Sequence, residues 1–214
     1  MNSDSSPPAK PKSLRHALPA HQPRSRETRA RILAAAEQEF AEKGYEGARL
    51  ADIAEAAGCS VGTVYFRFKD KSALFLAIAE SFADDARENL KKIFERTSDL
   101  APHDAIRLFV TGAAQTIRSH KGLFRAIMER GFDNPEALRA MFFVREEFAA
   151  ALQAILKPMS TRNPDLRVRV MTQMVYGFLV AGVLNPQAPT ASDEVRAVRE
   201  LADACVAYIA GAGS

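Results

Sequence analysis

From about residue 24 onward, apolar residues recur at three- and four-residue spacing, and nowhere do they alternate as a half-buried strand requires. Ile32, Leu33, Ala36 and Phe40 share one face of a first helix, predicted to start near Ser25, run to Lys43 and stop at Gly44. Leu50, Ile53, Ala54 and Ala57 mark a short second helix closed by Gly58, a residue that adopts the left-handed conformation at little cost. Ser60 is a good N-cap for a third short helix starting at Val61, with Cys59 and Val64 turned towards a small core. A long fourth helix, about 71–96 and capped by Asp70, carries Leu74, Phe75, Ile78, Phe82, Leu90, Ile93 and Phe94 as one stripe. A loop at 98–103 precedes a fifth helix reaching about Ser119, and a short sixth spans about 121–131. Asn134-Pro135-Glu136 and Asn163-Pro164-Asp165 each supply a cap, a proline at the first helical position and an acid in the first turn. They predict helices ending near Lys157 and Leu184, and Ser192-Asp193-Glu194 opens a last one that ends by Gly211. The expected fold class is all-α, with about nine helices and no sheet.

The second and third helices carry the most specific signal. Two short helices joined by a glycine turn form the helix-turn-helix layout, whose second helix lies in the DNA major groove. Val61, Gly62, Thr63, Phe66 and Arg67 are candidates for its outward or N-terminal side, together with the capping Ser60. Gly62 is a poor helix former, so its presence points to close approach of another backbone. Thr63 and Tyr65 offer hydroxyls to phosphate, and Arg67 suits either phosphate or a guanine edge. Lys71 opens the next helix, where its amine and the helix N-terminus can both meet a phosphate.

From Arg26 to about Leu76 the chain resembles the DNA-binding domain of TetR-type (tetracycline-repressor-type) transcription regulators. The matching residues are Thr28-Arg29-Ala30-Arg31-Ile32-Leu33, Phe40, Gly44-Tyr45, Asp52-Ile53-Ala54 and Ala57-Gly58. They continue as Ser60, Gly62-Thr63-Val64-Tyr65, Phe68, Lys71 and Leu74. Beyond this quarter of the chain, only helical pattern and length are similar. Ala48-Arg49 departs from the usual hydroxyl pair before the second helix, which removes a hydroxyl cap and leaves Arg49 to supply a phosphate contact. Lys69-Asp70 replaces the usual Pro-Ser, and Phe66-Arg67 stands where polar residues or His are common, so no base preference carries over.

The resemblance implies a helix-turn-helix DNA-binding domain over 24–70 and a helical ligand-binding and dimerisation domain over 71–214. It further implies a homodimer on palindromic double-stranded DNA and a repressor released by a small-molecule effector. Residues 1–23, rich in Pro, Ser and Lys, are expected to be a disordered basic arm.

Charge is distributed unevenly. Residues 1–31 hold seven basic and two acidic side chains, a local +5 in a chain whose formal charge is +3. An arm following phosphates and a solvated tail both fit residues 1–20, whereas Arg24 and Arg26 sit at the start of the first helix, beside the DNA-binding unit. An apolar content of 47% is that of a folded chain. No uninterrupted run approaches the ~18 apolar residues of a membrane span, and no secretory signal is seen. Two distant cysteines, Cys59 and Cys205, fit a reduced, cytoplasmic protein with no membrane association.

The middle of the chain is rich in Phe and Met. Phe109, Phe124, Met128, Phe142, Phe148, Met171 and Met174 are candidates to line a mostly apolar ligand cavity, and plain core is the other reading of each. Phe142 and Phe143 cannot both face one side. Arg145 is the chosen polar contact, with His103, His120 and Arg125 as weaker candidates. The last two helices carry the stripes Val168, Val175, Phe178, Leu179, Gly182 and Val198, Leu201, Cys205, which fit either a dimer interface or an intrachain core.

There is no Gly-x-Ser-x-Gly elbow, no phosphate-cradling glycine loop and no metal-spaced Cys/His set, so no enzyme, metal or cofactor is expected. A DNA-binding regulator without a small-molecule effector, under a partner protein or constitutive, remains the alternative, as does an activator.

Overall fold

The computed structural model describes residues 23–131, 135–159, 163–185, 187–188 and 193–210. The basic arm up to residue 22, the caps Asn134 and Ser192, and Gly211 lie outside these residues. Among the described residues there are nine helices and no strand: α1 (Pro23–Gly47), α2 (Leu50–Ala56), α3 (Val61–Arg67), α4 (Lys71–Glu95), α5 (Pro102–Ser119), α6 (Lys121–Gly131), α7 (Pro135–Leu156), α8 (Pro164–Leu184) and α9 (Glu194–Ala210).

The local signals act as the residue chemistry requires. Gly44 breaks α1 with φ 68°, and Gly58 turns the chain after α2 with φ 63°. The Ser60 side chain accepts the Thr63 amide at 3.2 Å, and Asp70 accepts the Ala73 amide at 2.8 Å, capping α3 and α4. Two expectations at helix starts need correction. The first helix begins at Pro23 rather than at a Ser25 cap. Asn163 does not cap α8 through its side chain: it sits in the left-handed region (φ 54°), and Pro164 starts the helix.

Two hydrophobic clusters hold these helices. One gathers Ile32, Phe40, Ile53, Val64, Phe68 and Phe75 with Leu123, Ile127 and Met141, so α6 and the start of α7 complete the core of the first three helices. The other joins Leu90, Ile106, Phe109, Leu152, Met171 and Cys205 from α4, α5, α7, α8 and α9. The 25-residue α4 belongs to both.

The seam between α1 and α6 is tight. A Cβ at Gly122 would lie 2.7 Å from the Ala41 carbonyl oxygen and 2.8 Å from the Ala41 Cβ, so only glycine permits this approach. Alongside it, His120 Nδ1 is 2.7 Å from Glu37 Oε1. Farther along, the Arg130 guanidinium and the Lys71 ammonium both lie over the Tyr45 ring, at 4.4 and 4.7 Å from its centroid.

Helix α8 is long and apolar enough to cross a membrane by length and composition, which a search for uninterrupted apolar runs passes over. Only 28% of its most apolar window is buried within the protomer.

Candidate nucleic-acid interface and effector cavity

Helix α3 buries Val64 against α1 and α2 and turns the opposite side outward. On that side Val61, Tyr65 and Phe66 are exposed, Phe66 by 74%. A side chain this apolar and this bare is informative, because two other exposed apolar side chains share its seven-residue helix, which is already anchored from behind. Gly62 is exposed as well, and the nearest atom to a Cβ placed there is Ser60 Oγ at 3.8 Å. Nothing among the described residues therefore demands glycine at this position. Thr63 is half-buried and shares a 2.9 Å hydrogen bond with Ser60 through the two hydroxyls.

The long cations at this surface behave differently from one another. Arg67 folds back, donating from Nη1 to Ser25 Oγ at 3.0 Å, while its buried Nε has no partner among the described residues. Lys71 likewise donates to the Glu46 carbonyl oxygen at 3.2 Å. Both are thus half-buried braces onto α1 in this structure rather than groups pointing outward. Arg24, Arg26 and Arg49 are exposed. Arg49 precedes α2 without capping it through its side chain, and its amide donates to Glu39 Oε1 at 3.4 Å. Behind it, Lys43 bridges Glu39 at 2.7 Å and Asp52 at 3.0 Å. The Lys43 hydrogen bond, helped by the nearby Arg49 charge, holds the Asp52 carboxyl below its ordinary pKa.

A cavity with about 60 Å³ of free volume lies between α4, α5, α6, α7 and α8. Three of the sequence candidates line it: Phe124, Arg145 and Phe148. The others do not. Phe109 and Met171 are wholly buried in core packing, Phe109 against Phe148 with ring centroids 4.9 Å apart. Met128 is buried on the α6 side, where it receives the Tyr176 hydroxyl at 3.5 Å. Phe142 is 42% exposed on the outer side of α7, and Met174 packs on the second cluster away from the void. Among the weaker polar candidates, His120 is held by Glu37 and His103 is exposed. Met141, one of the mid-chain Phe and Met residues, also lines the cavity, and sequence reasoning missed Thr172 and Tyr176, which line it too. Thr172 and Tyr176 form an i, i+4 polar pair within the mostly apolar stretch of α8, a signal that was available.

The dimer candidates divide in the same way. Val168, Val175, Val198 and Cys205 are buried within one protomer and belong to its own core. Cys205 shows it chemically: burial pushes its thiol up to about 11. Phe178, Leu179, Gly182 and Leu201 remain half-exposed, and Leu166, Leu184 and Val195 add exposed apolar surface.

Fold and site together define an all-α helix-turn-helix protein with a second helical layer behind its outward-facing third helix. The family model described as bacterial regulatory proteins, tetR family, matches residues 32–78. The chain is 36% identical over 83 residues to the probable HTH-type transcriptional regulator ArpR of Pseudomonas putida, a match covering 39% of each protein. It is 30% identical over 158 residues to the HTH-type transcriptional regulator RutR of Escherichia coli (strain K12), covering 74% of this chain and 65% of that one. In both cases it spans less than two thirds of the relative. The crystal structure of a protein assigned to the TetR-family regulators from Mesorhizobium loti MAFF303099 superposes with a TM-score of 0.73 at 21% identity, over 88% of this chain and 98% of that one, which shows the shared fold. Residues 32–78 thus carry the helix-turn-helix domain of the tetR family, and the relatives that the chain matches are named as transcription regulators.

Proposed function

We propose that this protein is a cytoplasmic, homodimeric, sequence-specific repressor that leaves a palindromic operator when a small, mostly apolar ligand enters the cavity. The exposed trio Val61, Tyr65 and Phe66, with Gly62 open on the same helix, is the observation that carries the DNA-binding reading. An α3 set in the major groove brings these residues to base edges, where Phe66 suits a thymine methyl, and brings the Gly62 backbone against the phosphates. Ser60 and Thr63 at the start of α3, with the exposed Arg24 and Arg26 on α1 and Arg49 before α2, fit phosphate contacts. Arg67 and Lys71 take part by leaving Ser25 and Glu46 for the DNA backbone, or else serve only to brace α3 and α4.

Residues 24–70 form the DNA-binding unit in this reading, and 71–214 the effector and dimerisation unit. One short recognition helix reads few base pairs, so two are needed, with half-sites ~34 Å or a multiple apart. The apolar surface that α8 leaves uncovered supports pairing through α8 and α9, by way of Phe178, Leu179, Gly182, Leu184 and Leu201.

Release follows from shared helices. Helix α4 contributes Ala86 and Leu90 to the cavity and Leu74, Phe75 and Phe82 to the core beneath α1. A ligand that needs more than the ~60 Å³ available shifts α4 and changes the spacing of the two α3 helices. A coupling of ~1–3 kcal/mol relaxes operator binding ~5–150-fold. The cavity favours this reading over a regulator without an effector.

Selection of binding sites from random DNA by the purified protein, at near-physiological salt, tests the proposal. A palindrome is expected. Enrichment without a palindrome, with affinity collapsing as salt rises, would reduce the function to phosphate binding and refute it.

A further inference from the structure

The cavity is lined almost wholly by carbon, yet three polar groups at it lack good partners. Thr172 is only 8% exposed, and its buried hydroxyl has no hydrogen-bond partner among the described residues. The Tyr176 hydroxyl, one turn along the same face of α8, is directed at the Met128 sulfur at 3.5 Å, a weak acceptor. Arg145 reaches the cavity from α7 and pairs with no carboxylate among the described residues; its guanidinium lies over the Phe142 ring at 5.2 Å. The fourth polar residue of the wall, Thr116, is already satisfied, donating to the Gly112 carbonyl at 3.2 Å.

Buried polar groups without partners are costly and call for an explanation. These three share one requirement. Each can donate a hydrogen bond, one carries a permanent positive charge, and all three belong to residues that line a single apolar space. A carboxylate offers two oxygens with about four acceptor sites and matches a guanidinium in bidentate fashion. An amine would meet Arg145 as a like charge. An alcohol could answer one donor and leave the cation uncompensated.

Building on the ligand-responsive reading above, we infer that the ligand of this cavity is a compact apolar acid whose carboxylate is held by Arg145, Thr172 and Tyr176. Its hydrocarbon body lies among Leu90, Phe124, Met141 and Phe148. The small free volume favours a single ring or a short chain, with Met141 the side chain best able to give way.

The test is calorimetric titration of the full chain at pH 7.5 with benzoate, 4-isopropylbenzoate and octanoate, each beside the alcohol of the same carbon skeleton. At least one acid should bind, roughly ten- to a hundredfold more tightly than its alcohol. Arg145→Gln should abolish that preference without weakening the alcohol, and Arg145→Lys should keep part of it. Thr172→Val, which preserves shape, should weaken the acid alone. Equal or tighter binding of the alcohol, a preference that survives Arg145→Gln, or binding by none of the acids would overturn the inference. Anisotropy on the selected operator separates this outcome from that of the repressor reading. A neutral compound that binds and releases DNA removes the acid and leaves the response. An acid bound through Arg145 that leaves DNA affinity unchanged keeps the site and removes the response.

Discussion

Gly62→Ala tests the DNA-facing role of α3 with a change of one methyl group, because fold and function should respond with opposite signs. Gly62 is the second residue of α3 and has no positive φ, so alanine fits its backbone. The nearest atom to the new Cβ is Ser60 Oγ at 3.8 Å, an ordinary van der Waals distance. Inside the protein the methyl thus meets no resistance, and the unfolded chain loses conformational freedom. A stabilisation of about 0.5 kcal/mol follows, towards the low end for glycine-to-alanine changes because the site is in the first turn. For a chain of this size that raises Tm by ~1–2 °C. Against DNA the same methyl projects from a backbone proposed to touch phosphate. Overpacking of a tight contact costs ~1–3 kcal/mol, which corresponds to ~5- to 150-fold in Kd. Fluorescence anisotropy with the selected operator, paired with thermal melting of the same preparation, reads both quantities. The slope of affinity against salt should stay as in the wild type, because no cation is removed. Unchanged operator affinity with a raised Tm would refute the contact. A lowered Tm would refute the claim that the fold leaves this position open.

Ser60→Ala should remove the acceptor of the Thr63 amide and destabilise the chain by ~1 kcal/mol, lowering Tm by ~2–4 °C in a melting experiment. Phe66→Ser should leave Tm within about 1 °C, since the ring is 74% exposed, yet relax base preference at one operator position, as read by repeating the site selection. Gly122→Ala should lower Tm, because overlap with the Ala41 backbone costs ~1–3 kcal/mol and exceeds the helix-propensity gain, which a first-turn position reduces; a raised Tm would show that the α1–α6 seam is loose. Burial pushes the Cys205 thiol up to about 11 in the fold, against 9.0 for a free thiol, so the unfolded chain ionises first. That contribution to stability is constant below pH 9 and is lost as pH rises towards 11, and a native-state thiol assay at pH 8 should label the half-buried Cys59 well before Cys205.

Periodicity and capping chemistry carried the helices, because both depend on neighbours within a turn. Ser60, Asp70, Gly44 and Gly58 each act on atoms no more than four residues away, and each stands where its chemistry says it should. The site was legible in proportion to the same locality. Gly62 and Phe66 face outward because Val64, two residues from each, faces inward, a matter of spacing alone. Arg67 and Lys71 could not be placed this way, since their long side chains choose between solvent and acceptors on α1 that lie 42 and 25 residues away in sequence. The cavity was less legible still. A Phe on an apolar stripe is marked as buried, but whether it borders a void depends on what the facing helix leaves empty. Phe109 and Phe148 stack on each other, and only Phe148 reaches the space. On α8 apolar residues occupy most of the circumference, so a stripe could not separate Val168 and Val175, which face the core, from Phe178 and Gly182, which remain partly open.

The position of α6 bears on how a ligand signal would reach DNA. Its Phe124 is part of the cavity wall, and Gly122, two residues earlier, sits against the backbone of α1. Contacts made by flexible side chains absorb small displacements by rotamer change. A contact between a glycine and a helix backbone does not, because neither side has a torsion to give. Polar contacts such as His120 with Glu37, or the cations over Tyr45, would by contrast stretch and reform. In the proposed release, a ligand pressing on Phe124 therefore moves α1 through Gly122 as directly as it moves α4 through Leu90. The DNA-binding unit is then held at two points, by the start of α4 below α3 and by α6 against α1. Two points of attachment convert a translation of the cavity wall into a rotation of the unit, and rotation changes the distance between paired recognition helices more than sliding along a single helix would.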